Sequence, residues 1–415
     1  MKYTAYINNR GHKKTFVILW LTYASFYLCR VNISIAIPEI MDNLHFSFRD
    51  MGMLGSLFFV IYAAGQIING LAAGRHSPRK IIIAGITGSA ILNILFGINS
   101  RFSLMLVLWG LNAYFQSAGW SSSVKIVSNW FSGRKTGTVT GLFGASYHFG
   151  NAFSWLIAGG IALFFSWRVL FFIPAILFLL SGIQFLLFVR DYPEETSVSK
   201  REKNKPEPGS SYGGDFLRVL KDPRILQVGI ASMFLSIMAY GFLYWIPSYL
   251  YKERAMSLST ASFNALCFPL AGALGAIAAG WATDRFFHSK RTPVIFIMIA
   301  FAIVLTFSFP YVSAYSRLLT IPAFLLLGFM VDGPHILFGM TFAIDYGKDR
   351  AAAIAGFVDS LNYLGSAAGI FATGQIISRF GWQYVFYFWT FSLVISVLII
   401  AARKERKSNT ILYKG

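Results

Sequence analysis

The chain has 415 residues, of which 56% are hydrophobic and only 13% charged. A water-soluble protein has about a quarter of its residues charged, so most of this surface does not face water and a soluble enzyme is excluded. The net charge of +19 suggests nucleic acid in a soluble chain, but in a membrane chain the placement of Lys and Arg carries the meaning.

The N-terminal stretch Met1–Lys14 is polar and basic, and the apolar run behind it continues past Ser34. That run is too long for a signal peptide and has no small-residue cleavage site after it, so it reads as a retained first helix. Backbone groups inside a bilayer must be satisfied within the segment or within a closed barrel. The runs here are about 20 apolar residues long and do not alternate, which selects helices over barrel strands. Twelve spans are expected near residues 16–38, 51–73, 80–99, 103–126, 137–160, 166–189, 225–249, 262–284, 293–312, 317–341, 351–376 and 382–402. With the N-terminus in the cytoplasm, basic residues favour the cytoplasmic segments by about four to one, which places both termini inside. This topology also removes the nucleic-acid reading; the basic residues set orientation and can meet anionic lipid.

From Asp191 to Arg224 the composition changes. Glu194-Glu195, Lys200-Arg201-Glu202-Lys203, Pro206, Pro208 and Gly209-Ser210-Ser211 mark a flexible linker. The expected organisation is therefore a six-helix bundle over 1–190, a cytoplasmic linker over 191–224 and a second six-helix bundle over 225–415. Landmarks recur between the halves, as in transporters built from internal repeats. Gly70-x-x-x-Gly74-Arg75 follows the second span and Gly280-x-x-x-Asp284-Arg285 follows the eighth. Lys135, Gly141, Gly150 and Trp167 are echoed at one constant offset by Arg350, Gly356, Gly365 and Trp382.

Charges inside spans are the main functional signal, because each costs about 2.5–3.5 kcal/mol at mid-bilayer on insertion scales. Arg30 falls in span one, Asp332 in span ten and Asp359 in span eleven. Unpaired in lipid, the three would cost on the order of 8–10 kcal/mol, so they face each other, a wet cavity or a ligand. Helical spacing supplies neighbours: Tyr23, Tyr27, Arg30 and Ser34 share one face of span one. Asp332 with His335, Asp359 with Asn362 and Tyr363, and His148 with Asn151 are further polar pairs, and Gln66 lies in span two. Cys29 and Cys267 both sit in apolar runs, giving neither a disulfide framework nor a metal spacing. There is no G-x-x-x-x-G-K-[ST] loop, so transport driven by gradients is expected rather than ATP-driven or enzymatic chemistry, with no cofactor and no metal.

The G-x-x-x-D-R turn resembles the loop signature of the major facilitator superfamily. The resemblance implies a fold of two pseudo-symmetric six-helix bundles and a midplane cavity lined by spans one, two, four, five, seven, eight, ten and eleven, which include every span carrying a polar stripe. Asp284, Arg285 and Arg75 are then expected to latch the cytoplasmic side, with Gly74 departing from the pattern in the first copy. The chain further resembles the organophosphate:phosphate antiporters, the glycerol-phosphate and hexose-phosphate carriers. The matching segments are Phe26-Tyr27-Leu28-Cys29-Arg30-Val31-Asn32, Phe115-Gln116-x-x-Gly119-Trp120, Asn129-Trp130-Phe131-Ser132, Ser146-Tyr147-His148-Phe149-Gly150, Tyr240-Gly241-x-x-x-Trp245-x-Pro247-x-Tyr249-Leu250 and Asp191-Tyr192-Pro193. Three positions depart from that family: Ala239 stands where a second arginine is usual, Val31 where lysine often follows, and Asp332 and Asp359 are extra carboxylates.

The expected function is secondary active transport of a small anionic metabolite, an organophosphate or related organic anion, across a bacterial inner membrane by a monomer. Arg30, Tyr23, Tyr27, His148, Gln66, Tyr240, Asn362 and Tyr363 are the expected substrate contacts. Asp332, Asp359 and His335 are expected to couple protons or to hold a substrate cation. A proton or phosphate is the expected counter-substrate. Proton-coupled uptake of a zwitterionic or polar nutrient such as an amino acid, and a ligand-sensing transporter-like receptor, are the alternatives.

Overall fold

A computed structural model describes residues 10–131, 136–193, 221–288, 290–342 and 351–402. Among these, helices succeed one another as twelve rods. The first joins Arg10–Ser25 to Asn32–Leu44 through a tight turn at Phe26–Cys29. Phe48–Arg75, Pro78–Ile98, Phe102–Gln116 with Ala118–Trp130, Thr136–Ile161 and Val169–Phe188 complete the first six. The second six are Pro223–Lys252, Leu258–Ala265 with Cys267–Phe286, Arg291–Tyr315, Arg317–Ile336 running into Leu337–Thr341, Ala351–Phe380 and Trp382–Ala401. Among the described residues, nine segments are long and apolar enough to cross a bilayer by those criteria alone. Each span expected from the sequence overlaps one rod. Most rods run past the apolar stretch that announces them, the first reaching from Arg10 to Leu44, because helices continue into the interface and tilt. Residues 194–220 of the expected linker, and Lys135 and Arg350 of the expected repeat, lie outside the described residues.

Local chemistry explains the ends and breaks. Ser47 and Asp50 cap the second rod reciprocally, satisfying two otherwise orphaned N–H groups. The Asp191 carboxylate accepts the Arg79 N–H at 2.8 Å and the Ser77 hydroxyl, so the end of the sixth rod is tied to the start of the third. The eighth rod breaks at Leu266, three residues before Pro269, which has no N–H to return to Ala265. The fourth breaks at Ser117, whose hydroxyl donates back to the Tyr114 carbonyl at 2.6 Å. The tenth loosens into a wide turn at Leu337–Thr341 just after Pro334.

The two halves meet at the end opposite the chain termini. There Lys252 of the seventh rod pairs with Asp42 of the first, and the Tyr244 hydroxyl donates to the Met51 carbonyl at 2.8 Å. Phe48 packs against Trp245 and Trp382 with ring centres 5.8 and 5.7 Å away. The second and eleventh rods cross at Gly52 and Gly374, where a methyl group added at Gly374 would stand 2.6 Å from the Phe48 carbonyl oxygen. Within the second half, the eighth and tenth rods pack backbone to backbone. A methyl at Gly275 would overlap the Phe329 carbonyl, and one at Gly328 the Phe268 carbonyl, the small-residue packing that helices in lipid use to approach closely. Gly275→Ala and Gly328→Ala are each expected to destabilise the protein by about 1–3 kcal/mol through overpacking. Thermal unfolding in detergent checks this, and an unchanged midpoint for both would show that these rods are not in contact.

Candidate functional site

The first rod is broken where its charge sits. The turn at Phe26–Cys29 ends with the Arg30 and Val31 N–H groups both bonded to the Tyr27 carbonyl, at 3.2 and 3.1 Å. This leaves the Cys29 carbonyl without its helical partner, a costly state in the interior. Side-chain amides take over: Asn112 donates to it at 3.0 Å and Asn93 at 3.2 Å. Asn32 donates to the Asn93 carbonyl oxygen at 3.1 Å and to the Leu170 backbone at 3.0 Å. Ser89 donates to the Asn112 carbonyl oxygen at 2.6 Å, and Gln116 donates to the Ser89 hydroxyl at 2.8 Å. The chain of bonds closes on Arg30, whose Nε donates to Gln116 Oε1 at 3.2 Å. A neutral hydrogen-bonded framework thus fixes both the kink and the guanidinium.

Arg30 is 9% exposed and lines a cavity between the halves. Its guanidinium carbon stands 4.6 Å from the ring centres of both Tyr27 and Tyr62, and Nη2 donates to the Tyr62 hydroxyl at 3.1 Å. Each such cation–π contact stabilises a desolvated guanidinium by up to about 2 kcal/mol. Among the described residues no carboxylate lies within ion-pair distance of it, and Gln116 and Tyr62 accept from only Nε and Nη2. The cation is held by aromatic faces and amides, with donor capacity left toward the cavity.

The facing wall comes from the second half. Asp332 sits over Gly272, where any side chain would collide with its carboxylate. Its Oδ1 accepts the Tyr147 hydroxyl at 3.3 Å, and its Oδ2 lies 3.6 Å from His148 Nδ1, beyond a good hydrogen bond. Tyr147 and His148 belong to the fifth rod, so this contact joins the halves. Tyr240 and His335 also line the cavity, edge-on to each other at 6.1 Å. Phe58, Phe59, Trp109, Leu243, Phe268 and Pro269 make the rest of the wall largely apolar.

Of the residues singled out from the sequence, Arg30, Tyr27, His148, Tyr240, Asp332 and His335 converge on this cavity. Tyr23 stands one layer behind, 6.0 Å from Tyr27 and packed on Trp120 and Phe143. Tyr363 supports Tyr62 at 4.8 Å between ring centres. Gln66, Asn362 and Asp359 lie in the right rods but off the cavity lining; Asp359 faces the wide turn at Gly339. Asp284 pairs with Arg291 at 2.9 Å, across the turn to the next rod, and Arg285 and Arg75 are exposed at their helix ends. The sequence reading did not single out Tyr62, Tyr147 and the amide framework as site residues. Amides at Asn93 and Asn112 inside apolar runs were the available signal.

A model of the Major Facilitator Superfamily matches residues 19–370. The glycerol-3-phosphate transporter of Bacillus subtilis (strain 168) is 28% identical over 94% of this chain and 91% of its own length. The membrane sensor protein UhpC of Escherichia coli (strain K12) is 28% identical over 92% and 90%. Among solved structures, the nucleoside transporter NupG (D323A mutant) superposes with a TM-score of 0.78 at 14% identity, covering 95% of this chain and 99% of that one. A bacterial homolog to the human lysosomal transporter Spinster, in an inward-facing and unoccupied conformation, superposes with a TM-score of 0.74 at 15% identity, covering 95% of each. Helix order, the cleft between two six-helix halves and the family match agree: the chain belongs to the Major Facilitator Superfamily.

Proposed function

We propose that the protein is a secondary active transporter that carries a small phosphate-bearing organic anion by alternating access. The observation that carries this reading is Arg30: a buried guanidinium at a helix break, gripped by two tyrosine faces and an amide, lining the cavity with no carboxylate partner among the described residues. Guanidinium suits phosphate because its planar donors match two oxygens at once. The glycerol-3-phosphate transporter among its relatives supports the substrate class. The moving bodies are residues 1–190 and 225–415, joined by the stretch 191–224, in a bacterial inner membrane with both termini cytoplasmic. A monomer suffices, and inorganic phosphate or a proton is the counter-substrate. Tyr27, His148 and Tyr240 complete the substrate contacts. Tyr23, Gln66, Asn362 and Tyr363 act as support behind that wall. Asp359 and the Asp284, Arg285 and Arg75 cluster act in conformational change. The contacts around Asp42, Lys252, Phe48 and Trp245 form the outer closure. The relative named as a sensor favours a second reading, in which the same site binds its anion to signal.

Uptake of labelled glycerol 3-phosphate into proteoliposomes loaded with phosphate separates the two: a carrier gives flux accelerated by internal phosphate, a sensor gives binding alone. Arg30→Ala is expected to lower affinity by about 30-fold or more, the usual loss for a buried charge pair, and Arg30→Lys to restore only part of it. Normal uptake by Arg30→Ala ends the proposal. For the outer closure, Lys252→Glu is expected to shift the conformational equilibrium by about two- to five-fold, with Asp42→Lys in the same molecule reversing the shift. Accessibility of an engineered cysteine beneath the closure measures it, and identical labelling in all three proteins counts against the assignment.

A further inference from the structure

The cavity carries two charged groups of opposite sign, one from each half. Among the described residues that line it, Arg30 is the fixed cation and Asp332 the carboxylate. Opposite charges within one buried cavity ordinarily neutralise each other by contact. These do not. The route between them runs through aromatic rings: Arg30 against Tyr27, Tyr27 6.3 Å from Tyr147, and Tyr147 bonded to Asp332. The two charges are held apart by the protein's own framework, Arg30 by Gln116 and Tyr62, and Asp332 by its seat over Gly272.

The surroundings of Asp332 are also incomplete. A carboxylate accepts up to about four hydrogen bonds, and among the described residues Asp332 has one long bond, from Tyr147 at 3.3 Å. His148 is 3% exposed, lines the cavity, and its Nδ1 has no hydrogen-bond partner. His335 Nε2, also on the cavity wall, is buried without a partner as well. Buried polar atoms left in this state cost about 1–3 kcal/mol each, a cost that a bound ligand recovers. Tyr147 and Tyr240 line the same cavity, and aromatic rings favour an ammonium group. A substrate carrying only negative charge would instead bring its charge toward an aspartate in a poorly solvated space.

We propose that the substrate is a phosphate ester that also bears a protonated amine, its phosphate on Arg30 and its ammonium on Asp332 and Tyr147. This rests on the transport reading above and specifies its substrate class. Phe58, Phe59, Leu243, Phe268 and Pro269 give the short carbon chain between the two groups an apolar wall. Binding then bridges the halves through the ligand, since one charge is anchored on each. Ala239 on the cavity wall brings no second cation, which suits a phosphate whose other charge is balanced within the substrate.

The test compares two phosphate monoesters that differ by the terminal ammonium group, phosphoethanolamine and ethyl phosphate, binding to purified full-length protein by calorimetry at one pH and salt concentration. Phosphoethanolamine is expected to bind at least about tenfold tighter, as close charge pairs do in coupled cycles. Asp332→Asn is expected to remove that preference by weakening phosphoethanolamine and strengthening ethyl phosphate. Equal binding of the two esters by the unmodified protein overturns the inference while leaving the phosphate reading intact. A preference that survives in Asp332→Asn overturns it in the same way. Failure of both esters to bind removes both readings. The comparison in the unmodified protein decides the matter even if Asp332→Asn does not fold.

Discussion

The Cys29 carbonyl, released from its helix and recaptured by two asparagine amides, is the constraint on which the site depends. An unbroken first rod would leave Arg30 to follow helical geometry. The break lets its side chain lie between Tyr27 and Tyr62 instead. The cost of breaking a helix inside a membrane is offset by amides from the third and fourth rods, and the same amides continue through Ser89 and Gln116 to the guanidinium. Backbone distortion and charge placement are therefore one structural event, built wholly from neutral groups. A neutral framework suits the task, since an acid in that position would consume the cation it holds.

The second half solves the matching problem by a different means. Asp332 is positioned by absence: Gly272 leaves the notch in which the carboxylate sits, and Gly275 and Gly328 bring the two backbones close enough to form it. One half thus locates its charge by hydrogen bonds and the other by steric fit. The two meet through Tyr147 and His148, which project from the first half onto the carboxylate of the second.

Much of this was legible in the sequence. Twelve apolar runs marked the rods, and the cost of charge in lipid singled out Arg30 and Asp332 without any fold in hand. Motif position located His148 and Tyr240. Other features were not legible for identifiable reasons. Tyr62 and Tyr147 are two among 20 tyrosines and 41 phenylalanines, and no local pattern separates a cavity ring from a packing ring. Asn93 and Asn112 are neutral, so their burial is cheap enough to pass without notice. Asp359, Gln66 and Asn362 were assigned to rods that do approach the cavity, but helical periodicity without the rotation of each rod does not say which face turns inward. Asp284 finds Arg291 across the turn instead of its neighbour Arg285, because adjacent residues on a helix point apart.

The crossing of the second and eleventh rods at Gly52 and Gly374 has a mechanical consequence. At the crossing itself the backbones touch without a side chain between them, whereas along the same two rods Phe59 and Tyr62 pack against Tyr363. On the transport reading proposed above, the glycine contact would serve as a pivot, and resistance to opening would lie in the side chains packed on either side of it. Beside the glycines, Phe48, Trp245, Tyr244 and the Asp42–Lys252 pair are the side chains that join the halves. Under that proposal, changing those side chains would alter how long the halves stay together while leaving the backbone contact at the glycines as it is.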